Sequence, residues 1–340
     1  MLRRQLRSIG VGRTATRLLE HLAARTGGKR PVGAALGGYS PRVSARVAVL
    51  TIITLVAFAA NSLLCRMALA PELIDPVAFT GIRLGSGVAV LLPLSALMSE
   101  PRPEGGSAGS WRSGLALFVY AMAFSLAYVS LETGVGALIL FGSVQATMIA
   151  AGLLQGERPK AQEWLGLLIA MGGLVYLVLP GLSAPDPVGA ALMVASGVGW
   201  GVYSLRGRGR TAPIAATAGN FARALPLALA GLAIAWGALH ASPRGIALAV
   251  TSGAITSGVG YVIWYIALRD LTATRAAIVQ LAVPVIAAAG GAVFLAERPT
   301  LRLAIASVMI LGGVGTAIVA RGGDTAALVR SDGSRDNRES

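Results

Sequence analysis

Charged residues are scarce in this chain: Asp, Glu, Lys and Arg make up 13% of its 340 residues, against about 25% in ordinary globular proteins. Apolar residues make up 55%, and the mean hydropathy is +0.70. A soluble domain with so few charges would have too little polar surface to stay dispersed. The composition therefore predicts a helical membrane protein that crosses the bilayer several times.

Cysteine and histidine are nearly absent. The single Cys65 excludes an internal disulfide and any multi-cysteine metal site, and His21 and His240 offer no metal cluster. The chain has no phosphate-binding loop, no HExxH helix and no convincing Ser/His/Asp set. We therefore expect no enzyme activity, no cofactor and no ATP-driven transport by this chain alone.

Long apolar runs are abundant. From Val47 onward there are ten of about 20 residues each, the length that crosses roughly 30 Å of hydrocarbon. The runs are continuous rather than alternating, which excludes the strands of a membrane barrel. The predicted spans are 47–69, 76–98, 113–131, 136–155, 161–180, 187–205, 213–239, 245–268, 273–295 and 301–320.

Basic residues give the chain a net charge of +14. With the N-terminus in the cytoplasm, 23 Lys and Arg fall on the inner side and only three in the outer loops. This bias predicts that both termini are cytoplasmic. The charge is thus an orientation signal rather than a nucleic-acid patch. The basic segment 1–46 is either a disordered tail or a basic helix lying on an anionic membrane surface.

The chain contains an internal repeat: matching residues recur at an offset of 140 positions. The break at Glu157 matches Glu297, the glycine pair that begins at Gly172 matches Gly312, and Arg66 matches Arg206. The predicted organisation is a tail (1–46), two repeats (47–180 and 187–320) and a second tail (321–340). Because each repeat has five spans, the second enters the membrane in the opposite sense. Inverted repeats are typical of secondary transporters, whose substrate site lies near the midplane between the halves.

These motifs resemble the EamA-type repeat of the drug/metabolite transporter superfamily. The residues that carry the resemblance are Asp75-Pro76-Val-Ala-Phe79-Thr-Gly-Ile-Arg83, Gly156-Glu157-Arg158-Pro159 and Gly172-Gly173, and in the second copy Arg223, Pro284, Glu297-Arg298-Pro299 and Gly312-Gly313. The resemblance covers about residues 47–320 and implies a ten-helix inner-membrane carrier, often an exporter of amino acids or other small metabolites. It also implies a central cavity lined by helices 1, 3, 4, 6, 8 and 9. Val144 replaces the proline at the position matching Pro284, so helix 4 lacks the residue on which the expected bend of helix 9 depends.

Polar and aromatic side chains inside the spans are candidates for substrate binding. The amides of Asn61, Gln145 and Gln280 supply both donors and acceptors, which suit a zwitterionic or neutral polar substrate. Their alternative role is a hydrogen bond between helices. The aromatic candidates for an amphipathic cavity are Tyr120, Trp200, Tyr203 and Tyr261, with packing or lipid contact as the alternative.

Charged residues and a proline within the spans suggest structural or coupling roles. For Arg83 and Arg223 we expect a structural role, with bonds to helix-terminal carbonyls or to the opposite repeat. The functional alternative is that they bind a carboxylate of the substrate. Glu157 and Glu297 precede prolines and are expected to cap helices 5 and 10 rather than to couple ions. Pro284, mid-span in helix 9, is a candidate hinge or a purely structural kink.

The sequence thus predicts a secondary carrier, an exporter of a small metabolite working by alternating access. The alternatives are an uptake permease for a sugar or similar solute, and a lipid-handling or scaffold membrane protein. The expected partners are a small-molecule substrate and the lipid bilayer, with no nucleic acid. The oligomeric state stays open, a monomer included.

Overall fold

The structure, a computed structural model, describes residues 45–98, 108–154, 161–179, 181, 184–207, 212–268, 271 and 279–317. The two predicted tails lie almost wholly outside these residues, as does the turn that contains Glu157. The helices of the described part are α1 (Ala45–Leu69), α2 (Pro76–Leu97), α3 (Trp111–Ala127), α4 (Thr133–Leu154), α5 (Ala161–Val178), α6 (Pro187–Gly207), α7 (Pro213–Ile234), α8 (Pro243–Thr251, Ser252–Val259 and Gly260–Leu268 in succession), α9 (Ala282–Leu295) and α10 (Leu301–Ala317).

The fold is all-α, as predicted. Within the described ranges no residue belongs to a β-strand, and only an isolated bridge joins Ile74 to Ala241. Seven helices are at least 18 residues long and apolar enough to cross a membrane; α3, α9 and α10 are apolar but shorter over the described residues. At 1.5 Å per residue, 18 residues span roughly 27 Å, close to the thickness of the hydrocarbon.

Helix starts follow local sequence signals. Asp75 caps α2 because its Oδ1 accepts hydrogen bonds from the backbone N–H groups of Val77 and Ala78, both at 2.9 Å. Pro76 occupies the first helical position, where a missing N–H costs nothing. Ser242 and Pro243 repeat this arrangement at the start of α8.

Two helices differ from the prediction. Helix 7 was expected to reach residue 239, but α7 ends at Ile234 and a short 3₁₀ turn, Trp236–Ala238, follows. Helix 8 was predicted as a single span, 245–268, whereas α8 begins at Pro243 and its middle segment, Ser252–Val259, is a π-helix. Such wide turns are rare and often occur at functional sites.

The main contacts between helices follow the internal repeat: where two helices make such a contact, their counterparts in the other repeat are in contact too. A shift of 140 residues turns α1–α5 into α6–α10. Accordingly α3 packs on α6 while α8 packs on α1, and α4 packs on α6 while α9 packs on α1. The counterparts α2 and α7 pack against each other. Because five is odd, the second repeat crosses the membrane in the opposite sense to the first.

The contact between α5 and α10 follows the repeat down to single residues. A Cβ added to Gly173 of α5 would lie 3.2 Å from the backbone nitrogen of Ile310 in α10. A Cβ added to Gly313 of α10 would lie 2.6 Å from the backbone nitrogen of Ala170 in α5. Gly313 lies 140 positions after Gly173, and Ile310 lies 140 positions after Ala170. The two helices therefore meet at equivalent glycines.

At one end of the bundle, hydrogen bonds link four interhelical loops in two pairs. The backbone N–H of His240, between α7 and α8, donates to Asp75 Oδ2 at 3.2 Å. Ser130, between α3 and α4, donates from Oγ to Asp186 Oδ2 before α6 at 3.0 Å. The predicted topology places all four loops on the outer side. Which end faces the cytoplasm stays a prediction.

Candidate functional site

A cavity lies among α1, α3, α4, α6 and α8, so its walls come from both repeats. These are five of the six helices that the resemblance implied; α9 supplies no residue to the described lining. About 30 Å³ is open to the centre of a water-sized sphere, enough for on the order of two water molecules. The lining residues are Phe58, Asn61, Ser62, Tyr120, Phe124, Leu140, Phe141, Trp200, Thr256 and Tyr261.

Aromatic rings form most of the cavity wall around Trp200. Its ring centre lies 4.9 Å from that of Tyr120, 5.3 Å from that of Tyr261 and 5.4 Å from that of Tyr203. Three of the four predicted aromatic residues line the cavity, whereas Tyr203 is buried behind Trp200. Rings that carry hydroxyl and indole N–H groups suit a solute that is partly apolar and partly polar.

Asn61 is the predicted amide that does line the cavity. Its Oδ1 accepts hydrogen bonds from Ser252 Oγ at 2.7 Å and from Thr256 Oγ1 at 3.2 Å, both in the π-helical segment of α8. This is the interhelical bond that was the alternative to substrate binding. Over the part of the chain that the structure covers, the amide nitrogen has no hydrogen-bond partner, so Asn61 can still donate to a ligand.

Arg83 lies in α2 behind the cavity wall and is only 2% exposed. Its Nη2 donates to Tyr120 Oη at 2.9 Å, and its Nε donates to Ser257 Oγ at 3.3 Å. The guanidinium carbon lies 5.2 Å from the ring centre of Tyr120 and 5.1 Å from that of Phe124. The expected bond to the opposite repeat is present at Ser257, but Arg83 makes no described bond to a helix-terminal carbonyl.

Arg223, the counterpart of Arg83, makes a bond to the opposite repeat, but its described carbonyl partners do not end a helix. Its Nη1 donates to the carbonyl oxygen of Ala108 at 2.7 Å and to that of Gly219 at 2.8 Å. Ala108 precedes α3 of the first repeat, so this arginine joins the two halves. The two equivalent arginines therefore have different surroundings.

Glu297 caps a different helix from the one predicted. Its carboxylate accepts hydrogen bonds from the backbone N–H of Thr133 at 2.9 Å and from Thr133 Oγ1 at 3.1 Å, at the start of α4. Arg66 Nε lies 3.5 Å from the same carboxylate. The prediction failed because Ala296 adopts a left-handed backbone conformation, φ 54°, and the following side chain lies against the opposite repeat. Its counterpart Glu157 lies outside the described residues.

Gln145 and Gln280 do not line the cavity. Gln145 lies one turn of α4 beyond Phe141 and lines a separate small space among α4, α5 and α10. The expected grouping of three amides is therefore wrong for Gln145. Gln280 is a half-buried helical residue before α9 and is absent from the cavity lining. Gln145 is therefore a buried amide outside the cavity, and the substrate role of Gln280 stays a prediction.

Pro284 is the third residue of α9 rather than a mid-helix residue in the described part. The helix that includes Gln280 is interrupted at Leu281, as expected where a proline ring meets the carbonyl four residues earlier. By contrast α4 runs unbroken through Val144, the matching position. The hinge role stays a prediction.

The π-helical segment of α8 was not among the predicted features. This segment brings Ser252 and Thr256 to Asn61 and Ser257 to Arg83. The available signal was the run of small and hydroxylated residues at mid-span, Ser252-Gly-Ala-Ile-Thr256-Ser257-Gly258. Phe58 and Phe124 were also missed, since single phenylalanines in apolar spans are not distinctive.

The two repeats each match one protein family. A description of the EamA-like transporter family fits residues 45–179 and again residues 187–319. The chain belongs to the EamA-like transporter family. It is therefore a multi-pass membrane protein of a transporter family, built from two inverted five-helix repeats around the central cavity.

Relatives of the transporter are known by sequence. An uncharacterized protein of Pseudomonas aeruginosa is 50% identical over 281 residues, covering 83% of this chain and 97% of that protein. An uncharacterized transporter of Archaeoglobus fulgidus is 27% identical over 209 residues, covering 58% of this chain and 71% of that protein. Neither description names a solute.

A solved structure shares the fold of the transporter. A crystal structure of a protein aligns with a TM-score of 0.56 and 22% sequence identity, covering 79% of this chain and 97% of that one. At this identity the likeness concerns the fold alone.

Proposed function

We propose that the transporter exports a small amphipathic metabolite, with amino acids as the leading class, by alternating access. The observation that supports this most is the cavity whose walls come from both repeats. Aromatic rings offer surface for an apolar side chain, and Asn61 offers a donor for a polar group. A cavity between inverted repeats can open to either side when one repeat rocks against the other.

The size of the cavity favours a transport cycle over a permanently open pore. Space for on the order of two water molecules cannot hold an amino acid. Loading therefore requires the walls to separate. Because both repeats supply walls, rocking changes the volume of the cavity directly.

Charge placement supports the orientation within this proposal. The excess of Lys and Arg in the segments assigned to the cytoplasmic side supports an orientation with both termini in the cytoplasm of a bacterial-type inner membrane. The partners in this proposal are a small solute and lipid, and both repeats of one chain supply the described cavity lining. Since the sequence has no ATP-binding motif, a solute or ion gradient drives the cycle.

Solute flux in proteoliposomes tests the proposal. The purified full-length chain should exchange radiolabelled amino acids, including leucine and phenylalanine, faster than protein-free liposomes do. Asn61→Ala should lower this flux by about fivefold to tenfold, because one hydrogen bond to the solute is lost. The folded state of the variant is checked by its thermal unfolding in detergent.

Gln145→Ala provides the matched control, since it removes a buried amide outside the cavity. It should leave the flux near that of the wild type. Flux by the wild type no faster than the leak of empty liposomes contradicts the proposed function. Equal loss of flux in both variants contradicts the placement of the site.

A further inference from the structure

Arg83 has the lowest exposed fraction of any charged side chain in the described part of the chain, 2%. It lies within α2, a helix long and apolar enough to cross the membrane. A guanidinium stays protonated even when buried, so its charge must be balanced by its surroundings. The surroundings of Arg83 therefore bear on function.

The described surroundings of Arg83 are neutral. Its two hydrogen-bond partners are the hydroxyl groups of Tyr120 and Ser257. Nη1 is buried and has no partner among the described residues. Within that same part of the chain no carboxylate forms an ion pair with Arg83, whereas Arg66 pairs with Glu297. At least two of the five N–H donors are thus unused.

Ring faces reduce the cost of this charge without balancing it. The guanidinium lies over the rings of Tyr120 and Phe124 at 5.2 and 5.1 Å, within the range of cation–π attraction. An arginine in a membrane span with neutral partners remains costly, and such residues commonly mark substrate or ion pathways.

The internal repeat supplies a comparison. Arg223 occupies the equivalent position but donates to the carbonyl oxygens of Ala108 and Gly219, which serves packing between the halves. Arg83 instead contacts residues of the cavity wall, because Tyr120 and Phe124 both line the cavity. The guanidinium is therefore one side chain away from the cavity.

We propose that Arg83 is the anion-recognition residue of the cavity and that the transported solute carries a carboxylate. This inference rests on the proposed function and narrows its substrate class. A shift of the Tyr120 ring opens the path from the cavity to the guanidinium. The carboxylate then accepts charge-assisted hydrogen bonds from Nη1 and from the second N–H of Nη2, a geometry that arginine favours. The apolar part of the solute packs against the aromatic rings.

Matched pairs of probes test this proposal. The pairs are 3-phenylpropanoate with 3-phenylpropanamide, and leucine with leucinamide, measured by thermal stabilisation of the full-length chain and by proteoliposome flux. The wild type should bind each carboxylate at least about tenfold more tightly than its amide. Equal affinities within both pairs, or no carboxylate-dependent stabilisation in either, overturn the proposal.

Variants separate recognition from packing. Arg83→Met should remove the preference for carboxylates while leaving the unliganded chain at least as stable, because a buried unbalanced charge is replaced by an apolar side chain. Arg83→Lys should restore part of the preference, since it keeps the charge without the planar fork. Arg302→Met removes an arginine that lies 5.6 Å from the ring centre of Tyr176, away from the cavity, and should keep the full preference.

The outcomes distinguish this inference from the proposed function. A wild type that moves the amides as fast as the carboxylates overturns the role of Arg83 and leaves export of an amphipathic solute standing. A wild type that moves none of the probes or the amino acids contradicts both. An Arg83→Met chain that unfolds at markedly lower temperature but keeps the preference assigns Arg83 to packing alone.

Discussion

Among single residues, the carboxylates of Glu297 and Glu132 lie at the same end of the bundle but have different surroundings. Glu297 accepts hydrogen bonds from Thr133 and pairs with Arg66, so its carboxylate joins the second repeat to the first. Glu132 lies in the turn before α4, where partial burial raises the pKa of its carboxyl. The nearby charge of Glu297 raises this pKa further, while Arg66 lowers it.

Glu132 is therefore expected to reduce stability at neutral pH. A raised pKa means that the folded state binds the proton more tightly than the unfolded chain does. The stabilisation by protonation is fully present below the ordinary pKa of 4.5 and is lost as the pH rises through the folded pKa. Glu132→Gln should raise the unfolding temperature at pH 7 by about 1–3 °C, and the difference should vanish near pH 4.

Thermal unfolding in detergent at both pH values measures this effect. Glu72→Gln, at an exposed position of the neighbouring α1–α2 loop, is the control and should change little at either pH. A Glu132→Gln chain less stable than the wild type at pH 7 would show that the ionised carboxylate is stabilising, against this account.

Sequence reasoning at this scale found candidates but could not group them. Asn61 and Gln145 looked equivalent, as buried amides in spans expected to line the cavity. In the structure they line different spaces, because Gln145 lies on the part of α4 that approaches α5 and α10. Which part of a helix faces the cavity depends on packing. In spans that are apolar on all sides, the pattern of apolar residues does not reveal it.

For the helices, the glycine pair Gly312-Gly313 could be recognised in the sequence. The sequence did not indicate that only one of the two glycines lies against another helix. A Cβ at Gly313 would lie 2.6 Å from the backbone nitrogen and 3.1 Å from the Cβ of Ala170. A Cβ at its neighbour Gly312 would meet nothing within 4 Å. The close approach of α5 and α10 therefore depends on only one member of the second pair.

Gly313→Ala should destabilise the transporter by about 1–3 kcal/mol, because backbone atoms cannot give way as a flexible side chain can. Gly312→Ala should be neutral or stabilising by up to about 1 kcal/mol, since alanine favours the helix. Reversible unfolding of the two variants in mixed micelles gives both values. Equal effects would contradict the packing of α5 on α10.

The π-helical segment of α8 could not be predicted from the sequence. Its residues Ser252-Gly-Ala-Ile-Thr256-Ser257-Gly258 read as small residues suited to close packing. The wider turn depends on contacts from other helices: Asn61 accepts from Ser252, and Arg83 donates to Ser257. Those partners lie about 170 to 190 positions away in the chain, beyond the reach of local patterns.

At the scale of the whole molecule, the repeat was the most informative feature of the sequence. An offset of 140 residues, with five spans per copy, predicted two inverted five-helix repeats, and the main observed contacts between helices follow that repeat. The departures from symmetry were not predictable, because Arg83 and Arg223 occupy equivalent positions yet bind hydroxyl groups and carbonyls respectively.

The central claim is that one cavity between the repeats opens alternately to the two sides of the membrane. The most direct test places a cysteine in the cavity wall, as Leu140→Cys in a Cys65→Ala background, since Leu140 lines the cavity and Cys65 is buried. Ile139→Cys, fully buried beside it, is the control that should not react. The measurement is the labelling rate by a membrane-impermeant thiol reagent in right-side-out and inside-out vesicles. Alternating access requires labelling of Leu140→Cys from both sides, slowed by a transported solute, whereas labelling from one side only, or from neither, would contradict alternating access.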